Sequence, residues 1–128
     1  MRYLIKARLK EKNKKALLKA IDNQTLGYGS IAYPAFKKCM ENARLLINGE
    51  IQWVEVCYCR EAFGPGKELI EELPYWEEYF HNIKIMMARD PKKCDGYPVC
   101  ADCDCTKKLE SKLRNKGKKF LTNLRDTF

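Results

Sequence analysis

The segment from residue 50 to residue 59 constrains the fold most, because it alternates with period two and carries apolar residues on both faces. The odd positions of this alternation are Ile51, Trp53, Glu55, Cys57 and Cys59. The even positions are Gln52, Val54, Val56 and Tyr58. Apolar residues on both faces are typical of a strand inside a covered sheet. We therefore expect a central strand, with the rest of the sheet built around it.

Two other segments alternate in the same way and are predicted strands, residues 2–10 and 82–89. Apolar residues spaced three and four apart predict helices over residues 13–22, 34–47, 67–73, 75–81 and, with an interruption at Gly117, 109–128. The Asn48-Gly49 pair is predicted to end the second of these helices. Residues 90–105 show no period, and their turn residues predict an irregular loop.

This order of elements predicts an α+β fold, with a small ferredoxin-like sheet, mixed or antiparallel, and helices on one face. Three strands are few for that arrangement, so we expect a fourth near residues 60–64 or from a partner subunit. A chain of 128 residues fits a single domain. Within it we distinguish an α+β core over residues 1–90, a cysteine-rich loop over 91–106 and a basic helical tail over 107–128.

Four of the seven cysteines lie within twelve residues, at Cys94, Cys100, Cys103 and Cys105. Four thiolates suit tetrahedral zinc, and a Cys-x-x-Cys turn such as Cys100 to Cys103 commonly brings two of them together. We therefore predict a structural metal site, most simply zinc, that fixes the tail to the sheet. An iron–sulfur cluster is the alternative, because it also takes about four thiolates. Alternate ligands are Cys57, Cys59 and His81, the single histidine.

Other uses of these thiols stay open. They can form disulfides that pin the tail, or stay inert. They can also do thiol–disulfide redox chemistry, with Cys100 and Cys103 as the reactive pair and Cys57 or Cys59 as resolving partner. Cys39 falls in the apolar stripe of a predicted helix, and we expect it to be a core residue.

The charge of the chain is unevenly distributed along its length. Residues 1–20 carry a net +7 and residues 107–128 a net +6, whereas residues 21–106 carry a net −5 and the whole chain +8. Basic ends attract phosphate backbones, so a small-ligand or RNA-binding module is a third hypothesis. No basic-aromatic RNA signature falls on a predicted strand, and the most economical interpretation of the lysines is a solvated face.

The sequence also bears on catalysis, compartment and partners. No hydrolase elbow, phosphate-binding loop or paired-histidine motif occurs, so no enzymatic activity is predicted or excluded. Glu55 lies among apolar neighbours, and we expect it to pair with a lysine at an edge or interface. The acids over residues 68–78 are expected to form a solvated surface. We expect no membrane span and no signal peptide, hence a cytoplasmic protein, and a homodimer through a sheet edge is compatible with the pattern.

Three short runs resemble a small uncharacterised protein family of archaea and cyanobacteria. These are residues 53–59 (WVEVCYC), 75–80 (YWEEYF) and 103–106 (CDCT). The resemblance extends from the first strand to about Leu109. It implies a fold unit that includes the cysteine loop, and it implies no activity.

Overall fold

The alternating segments of the sequence form the long strands of one sheet. The computed structural model describes residues 2–30, 33–56, 72–87 and 110–127. The strands are β1 (Arg2–Leu9), β2 (Arg44–Leu45), β3 (Ile51–Val56), β4 (Phe80–Met87) and β5 (Lys118–Lys119). β1 and β3 confirm the predicted strands within the described residues. Residues 57–59 of the predicted central strand lie outside them.

β4 begins two residues earlier than predicted because a bulge restores its alternation. Leu9 pairs with Phe80 and Ile5 with Ile85, so β4 advances five residues while β1 advances four. The extra residue lies at the register shift, where Asn82 has a φ of 52°. Asparagine tolerates this left-handed conformation better than most residues. Phe80, which is buried in the core, therefore lies on the same face as Ile85, which is 41% exposed, in spite of their odd spacing.

The helices form largely where the apolar spacing predicts them. They are α1 (Lys14–Asp22), preceded by a 3-10 turn over Glu11–Asn13, α2 (Tyr33–Asn42), α3 (Leu73–Glu77), α4 (residues 110–114) and α5 (Phe120–Asp126). The predicted helix over 67–73 lies mostly outside the described residues. Gly117 separates α4 from β5 and α5, as its interruption of the pattern predicted.

The predicted helix over 34–47 is wrong beyond Asn42. Arg44 pairs with Gln52 and Leu45 with Ile51, so this stretch becomes β2 of a hairpin with β3. Asn48-Gly49 forms the hairpin turn rather than a helix end: the Leu46 N–H donates to Glu50 O at 2.8 Å and the Gly49 N–H to Leu46 O at 3.0 Å. Gly49 has a φ of 87°, a conformation that glycine adopts at low energetic cost and that makes Asn-Gly common in hairpin turns. Strand pairing here prevails over a helical sequence pattern.

The five strands form one antiparallel sheet in the order β4-β1-β3-β2-β5. β3 is central, as predicted, and the sheet with its helices confirms the α+β class. The ferredoxin-like arrangement itself stays a prediction, since residues 57–71, which connect β3 to the α3–β4 region, lie outside the described residues. The two additional strands come from residues 44–45 and 118–119, and the predicted fourth strand at 60–64 also lies outside.

One face of the sheet, here called the first face, carries the hydrophobic core. Ile5, Ala7, Ile51 and Trp53 contribute from the strands, and α1, α2, α3 and α5 pack against them. Trp76 of α3 lies at the centre: its ring is 4.6 Å from Phe36 and 4.8 Å from Trp53 between centroids. Buried aromatics of this size dominate core energetics.

The basic C-terminal segment contributes to this core. Phe120 and Leu124 of α5 are each 2% exposed and belong to the core cluster. The Phe120 N–H donates to Ala43 O at 3.0 Å, which fixes the start of α5 beside β2. Leu113 of α4 is also buried, but outside that cluster.

Candidate functional site

The predicted metal ligands lie almost entirely beyond the described residues. Cys94, Cys100, Cys103 and Cys105 are outside, as are the alternates Cys57 and Cys59. Their coordination therefore stays a prediction. Cys39 is described and is buried in the core as expected, with its Sγ donating to Val54 O at 3.6 Å. Within residues 2–30, 33–56, 72–87 and 110–127, no group of three or more His, Cys, Asp or Glu is placed to hold a metal ion.

The ends of β3 and β4 bear on the cysteine segments nonetheless. Val56 pairs with Arg2 and Met87 with Tyr3, so both strands end beside the start of β1. Cys57 follows Val56 directly, and the cysteine-rich segment follows β4. β1 separates the two strands, so they lie about 10 Å apart at that end of the sheet. His81 lies at the opposite end of β4, paired with Arg8 and exposed.

A line of cationic side chains crosses the second face of the sheet, opposite the core. Cross-strand partners share a face, and successive partners here are Lys84 with Lys6, Lys6 with Gln52, Gln52 with Arg44, and Arg44 with Lys119. We call Lys84, Lys6, Arg44 and Lys119 the cationic row. It spans all five strands, roughly 19 Å at the usual strand spacing.

The centre of the row is held in place by hydrogen bonds. Arg44 Nε donates to Lys116 O at 2.9 Å and its Nη2 to Gly117 O at 3.1 Å, so this guanidinium also anchors the chain entering β5. Gln52 is 3% exposed, and its Nε2 donates to Glu50 Oε1 at 2.7 Å. Glu50 is thus the acidic group that lies next to the row in the described part of the chain.

Within the described part of the chain, the lysines of the row have no acidic partner. Lys6 and Lys84 are directly opposite each other, an arrangement of like charges that destabilises a sheet. Within the described residues the ion pairs lie elsewhere, between Lys14 and Glu11 at 3.7 Å and between Arg125 and Asp22 at 2.6 Å. Lys84 and Lys119 are exposed and Lys6 is partly exposed. In the described residues, the lysines of the row are therefore at least partly open to solvent.

An apolar row runs parallel to the cationic row on the same face. Leu4 pairs with Val54 on one side and Met86 on the other. Met86 is 48% exposed, while Leu4 and Val54 are half-buried. Neither row contains an aromatic residue in the described strands, so these two rows offer charge and apolar contact.

Two carboxyl groups are buried at the core, contrary to their predicted positions. Glu55 is 2% exposed in the central strand and accepts a hydrogen bond from Trp76 Nε1 at 3.1 Å, so it is a buried residue rather than an edge residue. Glu72 is 1% exposed, so it does not belong to a solvated acidic surface. A buried carboxylate needs hydrogen-bond donors, and the indole supplies one to Glu55.

The cationic row was missed by sequence reasoning. Its visible signal was the alternation of Lys6 and Arg8 with apolar residues in β1, which predicts a basic second face for one strand. The alignment of four cations across five strands depends on register, and two of those strands were not predicted.

Among the described residues, no helix has the length and apolar character needed to cross a membrane. Comparisons with protein-family models, curated proteins and solved structures found no match to this chain. The resemblance noted above therefore stays a prediction.

Proposed function

We propose that this protein binds single-stranded nucleic acid through the second face of its sheet. The observation that supports this proposal is the cationic row, four positive side chains in line across five strands. A line of cations fits an extended polyanion better than a compact anion, because successive charges meet successive phosphates. The apolar row beside it provides contact for sugars and base edges.

The cations and apolar side chains of the two described rows favour one kind of binding. Sheet-based RNA-binding domains read sequence by stacking bases on aromatic side chains. Here the affinity would come from phosphate contacts, which are independent of sequence and release counterions. We therefore expect weak, salt-sensitive binding with little base preference.

The salt dependence of binding tests this proposal. Four phosphate contacts on a single strand give a slope of about −3 for log Kobs against log salt concentration. Replacing Lys6 and Lys84 by Gln should reduce the slope to about −1.5. Fluorescence anisotropy of a labelled oligonucleotide, titrated at several KCl concentrations, measures both slopes.

A matched variant separates the row from net charge alone. Lys15 and Lys19 are exposed on α1, packed on the first face, and replacing both by Gln removes the same charge. The control should retain most of the wild-type slope. Equal losses in the two double variants, or no binding at low salt, would contradict the proposal. Tighter binding to anionic lipid vesicles than to the oligonucleotide would contradict the proposal and indicate that this surface binds a membrane instead.

We also propose a structural thiolate metal site, supported by the course of the chain at the ends of β3 and β4. Both strands end beside the start of β1, so the chain departs toward Cys57 and toward the cysteine-rich segment from the same end of the sheet. Zinc bound by Cys94, Cys100, Cys103 and Cys105 would link that segment to the fold. Reduced thiolates of this kind suit the cytoplasm, which we propose as the compartment.

Elemental analysis and a visible spectrum of anaerobically purified protein test the metal proposal. We expect about one zinc per chain in a colourless solution, lost in Cys103→Ser and retained in Cys39→Ala, whose thiol is in the core. Iron with a brown colour would indicate a cluster instead. No metal would refute the site, and reversible loss of two free thiols on mild oxidation would then favour the redox alternative.

A further inference from the structure

A cavity of about 370 Å³ opens at the end of the sheet where β1 finishes and β3 and β4 begin. Its floor is apolar and is formed by buried side chains that include Ile51, Phe120 and Leu124. Its rim is polar, with Arg8, Glu11, Lys14, His81 and Asn123. This volume lies at the lower end of the range for ligand sites, so it suits one small group rather than a chain.

The charge at the rim favours an anion near Arg8. Lys14 lies 3.7 Å from Glu11, so those two charges largely offset each other. Arg8 has no carboxylate partner among the described residues, and its Nη1 donates to Asn48 O at 2.9 Å. A Cβ at Gly49 would lie 3.2 Å from that nitrogen, so the glycine leaves room for the guanidinium against the β2–β3 turn. The turn thus holds Arg8 at the mouth of the cavity.

The mouth is continuous with the cationic row. Arg8 follows Lys6 by two residues on β1, on the same face and about 7 Å away. His81 is the cross-strand partner of Arg8 and lines the same cavity. A polyanion bound at Lys6 therefore needs to extend by only about one further phosphate to reach Arg8 at the rim of the cavity.

We infer that this cavity receives one unpaired nucleobase of the bound strand, with the adjoining phosphate at Arg8; this inference rests on the proposed function. A nucleobase combines flat apolar faces with a polar edge, which matches an apolar floor under a rim that includes Asn123 and His81. A base in a duplex is stacked and paired, so it cannot enter without unstacking. The cavity therefore gives the protein a preference for single strands over blunt duplexes, which the cationic row alone does not supply.

Filling the cavity tests the inference. Asn123 lies on α5, is partly exposed and lines the cavity, so Asn123→Trp should occupy the space of the base. Thr122→Trp on the same helix is the matched control, because Thr122 is exposed and does not line the cavity. Anisotropy should show a loss of about five- to a hundredfold in single-strand affinity for Asn123→Trp, the effect of losing one base contact. Affinity for a blunt duplex should be unchanged, as should both affinities in Thr122→Trp.

The outcomes distinguish this inference from the proposed function. Equal single-strand affinities for the two tryptophan variants, with the Lys6 and Lys84 effect intact, would overturn the base site and leave the surface proposal standing. If the cationic row proves inert, amide chemical shifts of the wild-type protein titrated with adenosine monophosphate test the cavity by itself. Shifts at Ile51, Phe120 and Leu124 that inorganic phosphate does not produce would support a base in the cavity. Identical shifts with phosphate alone would overturn it.

Discussion

Gly117 controls how β5 joins the sheet, and Gly117→Ala should destabilise the protein severely. Its φ is 52°, in the left-handed region that disfavours a side chain. A Cβ at this position would lie 2.1 Å from Leu45 O and 2.8 Å from Leu45 C. Both atoms belong to the backbone of β2, so no rotamer change relieves the clash. The chain around residue 117 must move instead.

The magnitude follows from what that movement disturbs. The left-handed conformation costs an alanine about 1–2 kcal/mol relative to glycine. Displacing the chain also weakens the bonds from Arg44 to Lys116 O and Gly117 O, and each hydrogen bond to a charged group contributes about 1.5–3 kcal/mol. Because both Arg44 hydrogen bonds are at an exposed site, we count the loss of one bond only, at the lower end of that energy range. The expected loss in the free energy of unfolding is about 3 kcal/mol.

Gly49→Ala is the matched control for this experiment. Gly49 also has a positive φ, 87°, but a Cβ there meets only Arg8 Nη1, the far end of a flexible side chain. This variant should lose only the conformational part, about 1–2 kcal/mol. Urea denaturation followed by circular dichroism measures the free energy of unfolding of both variants. In a thermal scan their melting temperatures should differ by about 6 °C, at about 4 °C per kcal/mol. Equal destabilisation of the two variants would refute the backbone clash as the cause.

Two further predictions concern the buried carboxylate and an exposed ion pair. By urea denaturation, Trp76→Phe should lower the free energy of unfolding by about 1.5–3 kcal/mol more than Trp53→Phe does. The reason is that the Trp76 indole donates a hydrogen bond to Glu55, whereas Trp53 Nε1 has no partner in the described residues. Equal losses in the two variants would exclude a net contribution from that bond. The hydrogen bond from Arg125 lowers the pKa of Asp22, so the pair stabilises the fold above the unfolded-state pKa of about 3.9 and loses this effect as pH falls through the lower folded-state pKa. Asp22→Asn should therefore flatten the fall in the urea midpoint below about pH 4; an equally steep fall for Asp22→Asn and the wild type would contradict this.

Elements whose pattern is long and local were predictable. The alternation of β1 and of β3 spans enough residues to define period two, and α1 shows a full helical stripe, so these elements form where expected. The burial of Cys39 followed from the same reasoning, since a helical stripe identifies its buried face. The α+β class follows from the order of such elements, which the chain itself specifies.

The short strands were decided by the tertiary structure. β2 and β5 have two residues each, too few to show a period, and they exist because they pair with each other and β2 with β3. The same holds for the bulge at Asn82, which depends on the register between β4 and β1.

The candidate site depends on the tertiary structure for the same reason. Lys6 and Lys119 were visible in the sequence as parts of the basic ends, whereas Lys84 and Arg44 lie in the middle segment, whose net charge is negative. Their alignment on one face, and the cavity at the end of that face, depend on which strands become neighbours and in what register. The chain determines locally which residues can share a face of one strand. Only long-range pairing determines which faces lie side by side, because the energy of that pairing comes from contacts between distant parts of the sequence.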